Sequence, residues 1–197
     1  MNSVPRLEAK WLDLFEHVFR LCGVASGDAC AVLSETQTRP ELPALSELAL
    51  ARIGARPFHV TLPGRALTAP VPVRSTGASD AIGGLEPVVQ ALAHSTFIAD
   101  CTVEGLQHAA ELPRILKGGA RVLVISHEHP EILERCLPQA GDEAVARDAM
   151  RKLKAAREMH VTSAAGTDLR INLAGARIGG VWGFTSKPGT LSHWPGG

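Results

Sequence analysis

Apolar positions along this chain recur with two alternating periods, and that alternation predicts the order of its elements. Leu12, Phe15, Val18, Phe19 and Cys22 return at helical spacing, which predicts a helix over Trp11 to Val24 with Gly23 near its end. The short apolar run Cys30 to Ser34 predicts a strand, and Pro40 then opens a second helix over Glu41 to Ile53, with Gly54 just past it. Phe58 to Leu62 alternates as a second strand. Residues 63–84 are rich in proline and glycine and predict a loop, with one extended piece at Val71-Pro72-Val73-Arg74.

The same grammar continues downstream. Leu85 to Ala93 reads as a helix, Thr96 to Cys101 as a strand and Glu111 to Leu116 as another helix, broken by Gly118 and Gly119. Arg121 to Ser126 is the most continuous apolar strand of the chain. Pro130 starts a helical turn into Ile132 to Cys136, and Glu143 to Arg157 is a longer charged helix. Strands alternating with helices at this spacing predict an α/β fold: an open, mostly parallel, Rossmann-like sheet with helices on both faces.

At residue 158 the pattern changes. Two alternating stretches around Ala165-Gly166-Thr167 predict a hairpin, and residues 178–197 are dense in glycine and proline. The expected organisation is therefore an α/β domain over 1–157 and the beginning of a β-rich domain over 158–197. About 40 residues of hairpin and loop cannot bury a core alone. Either the tail packs on the first domain, or the chain is the front part of a longer protein.

Composition narrows the function classes. Of 197 residues 45% are hydrophobic and 20% charged, which excludes a disordered tail, a collagen-like repeat and a disulfide miniprotein. Lys and Arg together number 20, as do Asp and Glu, so no global positive field recruits nucleic acid or an anionic membrane. The apolar runs are too short for a membrane helix, and acidic residues interrupt the N-terminal apolar stretch where a signal peptide would be smooth. Elimination leaves a soluble, cytoplasmic protein. Cys22, Cys30, Cys101 and Cys136 are irregularly spaced with no CxxC, and Cys22 and Cys101 read as small buried hydrophobes.

Nucleotide-binding glycine motifs, a GxSxG elbow and HExxH are all absent, and tyrosine is missing altogether. Proton transfer near neutral pH then falls to the histidines. His108 follows a strand and precedes a helix, with Asp100 and Glu104 nearby, at the edge where open α/β sheets bind ligands. A neighbouring carboxylate suits an imidazole to general acid–base work, although a surface or capping role fits the same position. His193 stands beside Trp194, an aromatic platform, in a glycine- and proline-rich loop or simply in a packed turn. Glu35 and Arg39 follow the first strand and suit the orientation of a polar ring substituent, or else a local capping network. His127 and His129 form an HxH after the strongest strand; without a third ligand nearby it reads as a polar turn, with His129 at a helix N-terminus. His17, His59, His94 and His160 lie within helices and strands and read as structural.

Four blocks carry a more specific signal. SETQTRP, the long stretch TVEGLQHAAELPRILKGGARVLVISHEHPEILERC, VTSAAGTDLRINLAGA and GGVWGFTSKPGTLSHWPGG resemble, in this order, the 2,5-dihydroxypyridine 5,6-dioxygenases. These are ring-cleaving enzymes of nicotinate degradation, related in fold to the aminopeptidase T-type metallopeptidases. The resemblance implies two domains, with Fe(II) held in the second by two histidines and one aspartate. It implies a small aromatic N-heterocycle and O2 as reactants, and His108 as the acid–base residue of the VEGLxH block. His193, in HWPGG, would stand near the substrate; Glu35, Arg39 and Glu104 are expected to bind substrate from their places after the strands rather than from the resemblance. No metal ligand maps onto these residues: the ligands are expected beyond Gly197, so this chain alone is expected to hold no iron and to be inactive. Uncovered second-domain surface would favour a homo-oligomer. The alternatives are a metallo-aminopeptidase of the aminopeptidase T type and a metal-free binding or oligomerisation module.

Overall fold

Continuous apolar runs become strands buried on both faces, and the helices between them supply the two covering layers. The computed structural model of the chain describes residues 6–64 and 80–196. The extended piece expected at Val71 to Arg74 lies outside the described residues. The element order is α1 (Ala9–Leu21), β1 (Ala29–Glu35), α2 (Glu41–Ile53), β2 (Arg56–Leu62), α3 (Glu86–Ala93), β3 (Phe97–Asp100), α4 (Leu112–Lys117) and β4 (Arg121–Ile125). There follow α5 (Pro130–Arg135), α6 (Asp142–Ala155), β5 (Glu158–Thr162), β6 (Asp168–Asn172) and β7 (Leu191–Trp194).

Five strands form one sheet in the order β2-β1-β3-β4-β7, and every neighbouring pair is parallel. This is the α/β architecture expected from the alternation of elements. On one face α1 and α2 close over Cys30, Val32, Phe97, Ala99, Leu123 and Ile125. On the other, α3 and α4 cover Ala31, Leu33, Ile98, Val122 and Val124. The period-2 alternation of Cβ directions thus sorts each strand between two separate cores. Helix α2 matches its sequence-based bounds because Gly54, at φ +87°, takes the left-handed C-cap that a side chain resists. Helix α1 ends three residues before Val24, since Val24 N–H turns back to Phe19 O and the chain leaves the helix axis.

The hairpin forms where the alternation placed it, with β5 and β6 antiparallel. Met159 faces Ile171 and Val161 faces Leu169 on one side of this ribbon, while His160–Asp168 and Arg170–Glu158 ion pairs occupy the other. The sequence predicts that residues 158–197 begin a β-rich unit, with packing of the tail on the first domain as the open alternative; Leu191–Trp194 takes that alternative and is the fifth strand of the first sheet. Trp194 explains the choice: it is fully buried, edge-on to Phe15 at 5.0 Å, and its indole Nε1 donates to Cys136 O at 3.0 Å. No helix among the described residues is long and apolar enough to cross a membrane.

Candidate functional site

In an open parallel sheet, ligands bind outside the carboxyl ends of the strands, where neighbouring connections leave in opposite directions. The order β2-β1-β3 puts that switch point between β1 and β3. Its two walls are the segment after Glu35 and the segment after Asp100, the same two stretches that hold Arg39, Glu104 and His108.

These walls are stitched together. Glu35 Oε2 accepts from Val103 N at 2.8 Å. Thr38 Oγ1 accepts from Glu35 N at 2.8 Å and donates to Cys101 O at 2.9 Å. Arg39 N donates to His127 Nε2 at 2.7 Å, which ties the β1 loop to the β4 loop as well. The structure therefore spends one Glu35 carboxylate oxygen on a neighbouring backbone amide. Arg39 keeps its Nε buried without a hydrogen-bond partner among the described residues, a donor aimed at no protein acceptor.

Asp100 closes β3 and is fully buried. Its Oδ1 accepts from Thr102 N at 3.0 Å and Thr102 Oγ1 at 2.6 Å, and its Oδ2 accepts from Leu106 N at 2.7 Å. Burial pushes the carboxyl up to about 6, against these donors, which pull it back; the nearby Glu35 charge pushes the same way as burial. The chain wraps the carboxylate through Gly105, whose φ of +73° is a left-handed conformation. A Cβ there would stand 2.7 Å from Val124 Cγ1. His108 follows on an exposed turn closed by Ala109 N–H to Leu106 O at 3.0 Å.

Register sets His193 in relation to this loop. Leu33, Asp100, Val124 and His193 are successive partners across β1, β3, β4 and β7. All four point to the α3–α4 side, so His193 stands about two inter-strand spacings, roughly 10 Å, from Asp100 along the row. It is half-buried, with Nδ1 3.4 Å from Pro195 O. The loop carrying His108 thus presses on Val124, between the two. Sequence reasoning named Asp100 only as a neighbour of His108. The signal was present in the Asp-x-Thr-x-x-Gly spacing, an acceptor followed two residues on by a hydroxyl and then by a turn glycine.

The HxH pair behaves as a polar turn. His129 caps α5, accepting from Glu131 N at 3.3 Å through Nδ1, and His127 accepts from Arg39. Among the described residues, no three His, Cys, Asp or Glu side chains group as metal ligands. The side chains here do not fit a two-histidine, one-carboxylate Fe(II) centre. Cys22, Cys30 and Cys101 are buried free thiols pushed up to about 12 by that burial, which leaves them protonated and inert.

Known proteins resemble this chain along nearly its whole length. The family model described as NicX, 2,5-dihydroxypyridine 5,6-dioxygenase, matches residues 10–197. The curated 2,5-dihydroxypyridine 5,6-dioxygenase of Pseudomonas putida KT2440 is 31% identical over 198 residues, 98% of this chain and 55% of that protein. A solved structure of 2,5-dihydroxypyridine dioxygenase from the same strain superposes with a TM-score of 0.79 at 29% identity, over 97% of this chain and 55% of that one. The chain spans about half the length of the relatives it matches.

Proposed function

Since the chain belongs to the 2,5-dihydroxypyridine 5,6-dioxygenase family, we propose that it forms the α/β part of an oxygenase that opens a dihydroxypyridine ring. The observation that carries the reading is the placement of His108. It is exposed on the loop after β3, beside the switch point, in a segment that matches a family of this activity.

In this reading His108 accepts the proton of a ring hydroxyl as the substrate binds, and returns it as the ring opens toward N-formylmaleamate. His193 lines the same side of the sheet and orients the heterocycle. Arg39, half-buried at the switch point, supplies its guanidinium as the donor to an oxygen of the substrate. Glu35 acts through Val103 on the loop, and the half-buried Glu104 stands at the mouth of the site. Fe(II) would supply the activation of O2; no three side chains among the described residues group to hold it, and this chain alone is expected to take up no stoichiometric iron. The reading also implies cytoplasmic nicotinate breakdown as its setting and a second copy as a potential partner.

The test is to co-produce this chain with the remaining part of the Pseudomonas putida enzyme and to follow O2 uptake with 2,5-dihydroxypyridine and Fe(II). The putida enzyme split at the same boundary serves as the reference. Uptake is expected from the pair and absent from this chain alone. His108→Ala should slow the pair by roughly 100-fold or more at unchanged iron content. A silent pair beside an active reference, or an unchanged rate in His108→Ala, overturns the proposal. Loss of iron in that variant would make His108 a ligand.

A further inference from the structure

We propose that Asp100 is a positioning residue for His108: its carboxylate fixes two points of the loop after β3 and so sets where the imidazole stands over the sheet. The inference rests on the reading of His108 given above.

A carboxylate that is fully buried at a strand end is costly unless its oxygens are matched by donors. Here both oxygens are matched, and every donor comes from the six residues that follow. Oδ1 holds Thr102 through backbone and hydroxyl, and Oδ2 holds Leu106 N. Thr102 Oγ1 in turn accepts from Gly105 N at 3.1 Å, so the loop closes on itself around the carboxylate. Leu106 is fully buried and Ala109 nearly so, and they bracket the turn that carries His108. One hydrogen bond and two residues of chain separate the Asp100 carboxylate from that imidazole.

A strand end could be finished with a neutral side chain. What a carboxylate adds is two acceptors with no donor, which suits Thr102 and Leu106 simultaneously. An amide satisfies one of them and confronts Leu106 N–H with an N–H of its own. Glu35 holds the same loop from outside through Val103. Position 105 stays glycine for the same reason: the loop must cross close to Val124 to bring Leu106 back to Asp100.

The test compares Asp100→Asn, Thr102→Val and Thr102→Ser in this chain, with Ile98→Val as a control that weakens the same strand without touching the loop. Amide exchange of Thr102 and Leu106, the two amides held by the carboxylate, and the titration of the His108 ring are read by NMR beside the unfolding midpoint. Exchange at those two amides is expected to rise at least tenfold in Asp100→Asn, and the His108 titration curve to shift. Thr102→Val should give a smaller version and Thr102→Ser the wild-type result. Ile98→Val should change exchange only in step with global stability and leave His108 alone. Faster exchange spread evenly over the sheet in Asp100→Asn, or an unmoved His108 titration, overturns the proposal. Should Asp100→Asn fail to fold, the contrast between Thr102→Val and Thr102→Ser decides by the same criteria. These readouts need no turnover. An unchanged O2 uptake in His108→Ala would therefore sink the dioxygenase reading while the loop measurements still judged Asp100 on their own.

Discussion

Arg121 and Asp100 are buried charges at opposite ends of neighbouring strands, and they are used in opposite ways. At the start of β4, Arg121 donates to Cys22 O, Gly23 O, Thr96 O and Asp28 Oδ2. These partners lie 25 to 99 residues away in the chain. The guanidinium fastens the end of α1, the turn before β1 and the start of β3 to one point, a fork suited to several acceptors at once. At the end of β3, Asp100 draws all its partners from within six residues. Long-range partners make Arg121 part of the fold; local partners make Asp100 part of a loop. The amino edge of the sheet is built for cohesion, and the carboxyl edge for placing side chains.

That contrast is easiest to break at Arg121. Arg121→Met strands Asp28 and several carbonyls, and should cost about 3–5 kcal/mol of global stability in urea unfolding. A loss below about 1 kcal/mol would erase the distinction. Asp100 should show its character through pH. Its folded value of about 6 lies above the unfolded 3.8, so the folded state holds the proton more tightly. Its contribution favours folding fully below about pH 4 and is lost as pH rises through 6, by roughly 3 kcal/mol. Stability of the wild type relative to Asp100→Asn, measured from pH 4 to 7, should fall across that window. The exposed carboxylates Glu86, Glu134 and Asp148, held low by Arg114, Lys10 and Lys152, change stability in the opposite direction but are common to both proteins and cancel. The smallest effect belongs to the ribbon, which serves neither edge. Leu169 is 49% exposed, and Leu169→Thr should move the unfolding midpoint by less than about 0.5 kcal/mol.

What could be read ahead of the structure was whatever repeats locally. Glu41–Ile53 and Arg121–Ile125 agree almost to the residue, because helical period and a doubly buried apolar run are written in adjacent positions. The hairpin was legible from its alternation for the same reason. Leu191–Trp194 carries a comparable alternation, and nothing local tells a ribbon strand from a sheet edge; burial of Trp194 against Phe15 decides it. The site divides along the same line. The segments holding His108, Arg39 and Glu35 could be assigned to the carboxyl edge from strand order. The hydrogen bonds that join them could not, since Thr38 meets Cys101 across 63 residues and Arg39 meets His127 across 88. His127 accordingly reads as an idle turn residue until the fold shows it clasping a loop.

The late position of β7 has a consequence for how the molecule assembles. Pairing Val124 with His193 encloses a segment of about 70 residues, and pairing Leu33 with Asp100 encloses nearly as long a one, whereas β1–β2 and β3–β4 pair across much shorter separations. Two short-range pairs, β1–β2 and β3–β4, can therefore form at little entropic cost, and the two long closures, β1–β3 and β4–β7, join them into one sheet. Leu191 to Trp194 form an edge strand joined to the sheet only through β4, so their amides should open to solvent exchange sooner than those of β3, which is paired on both sides.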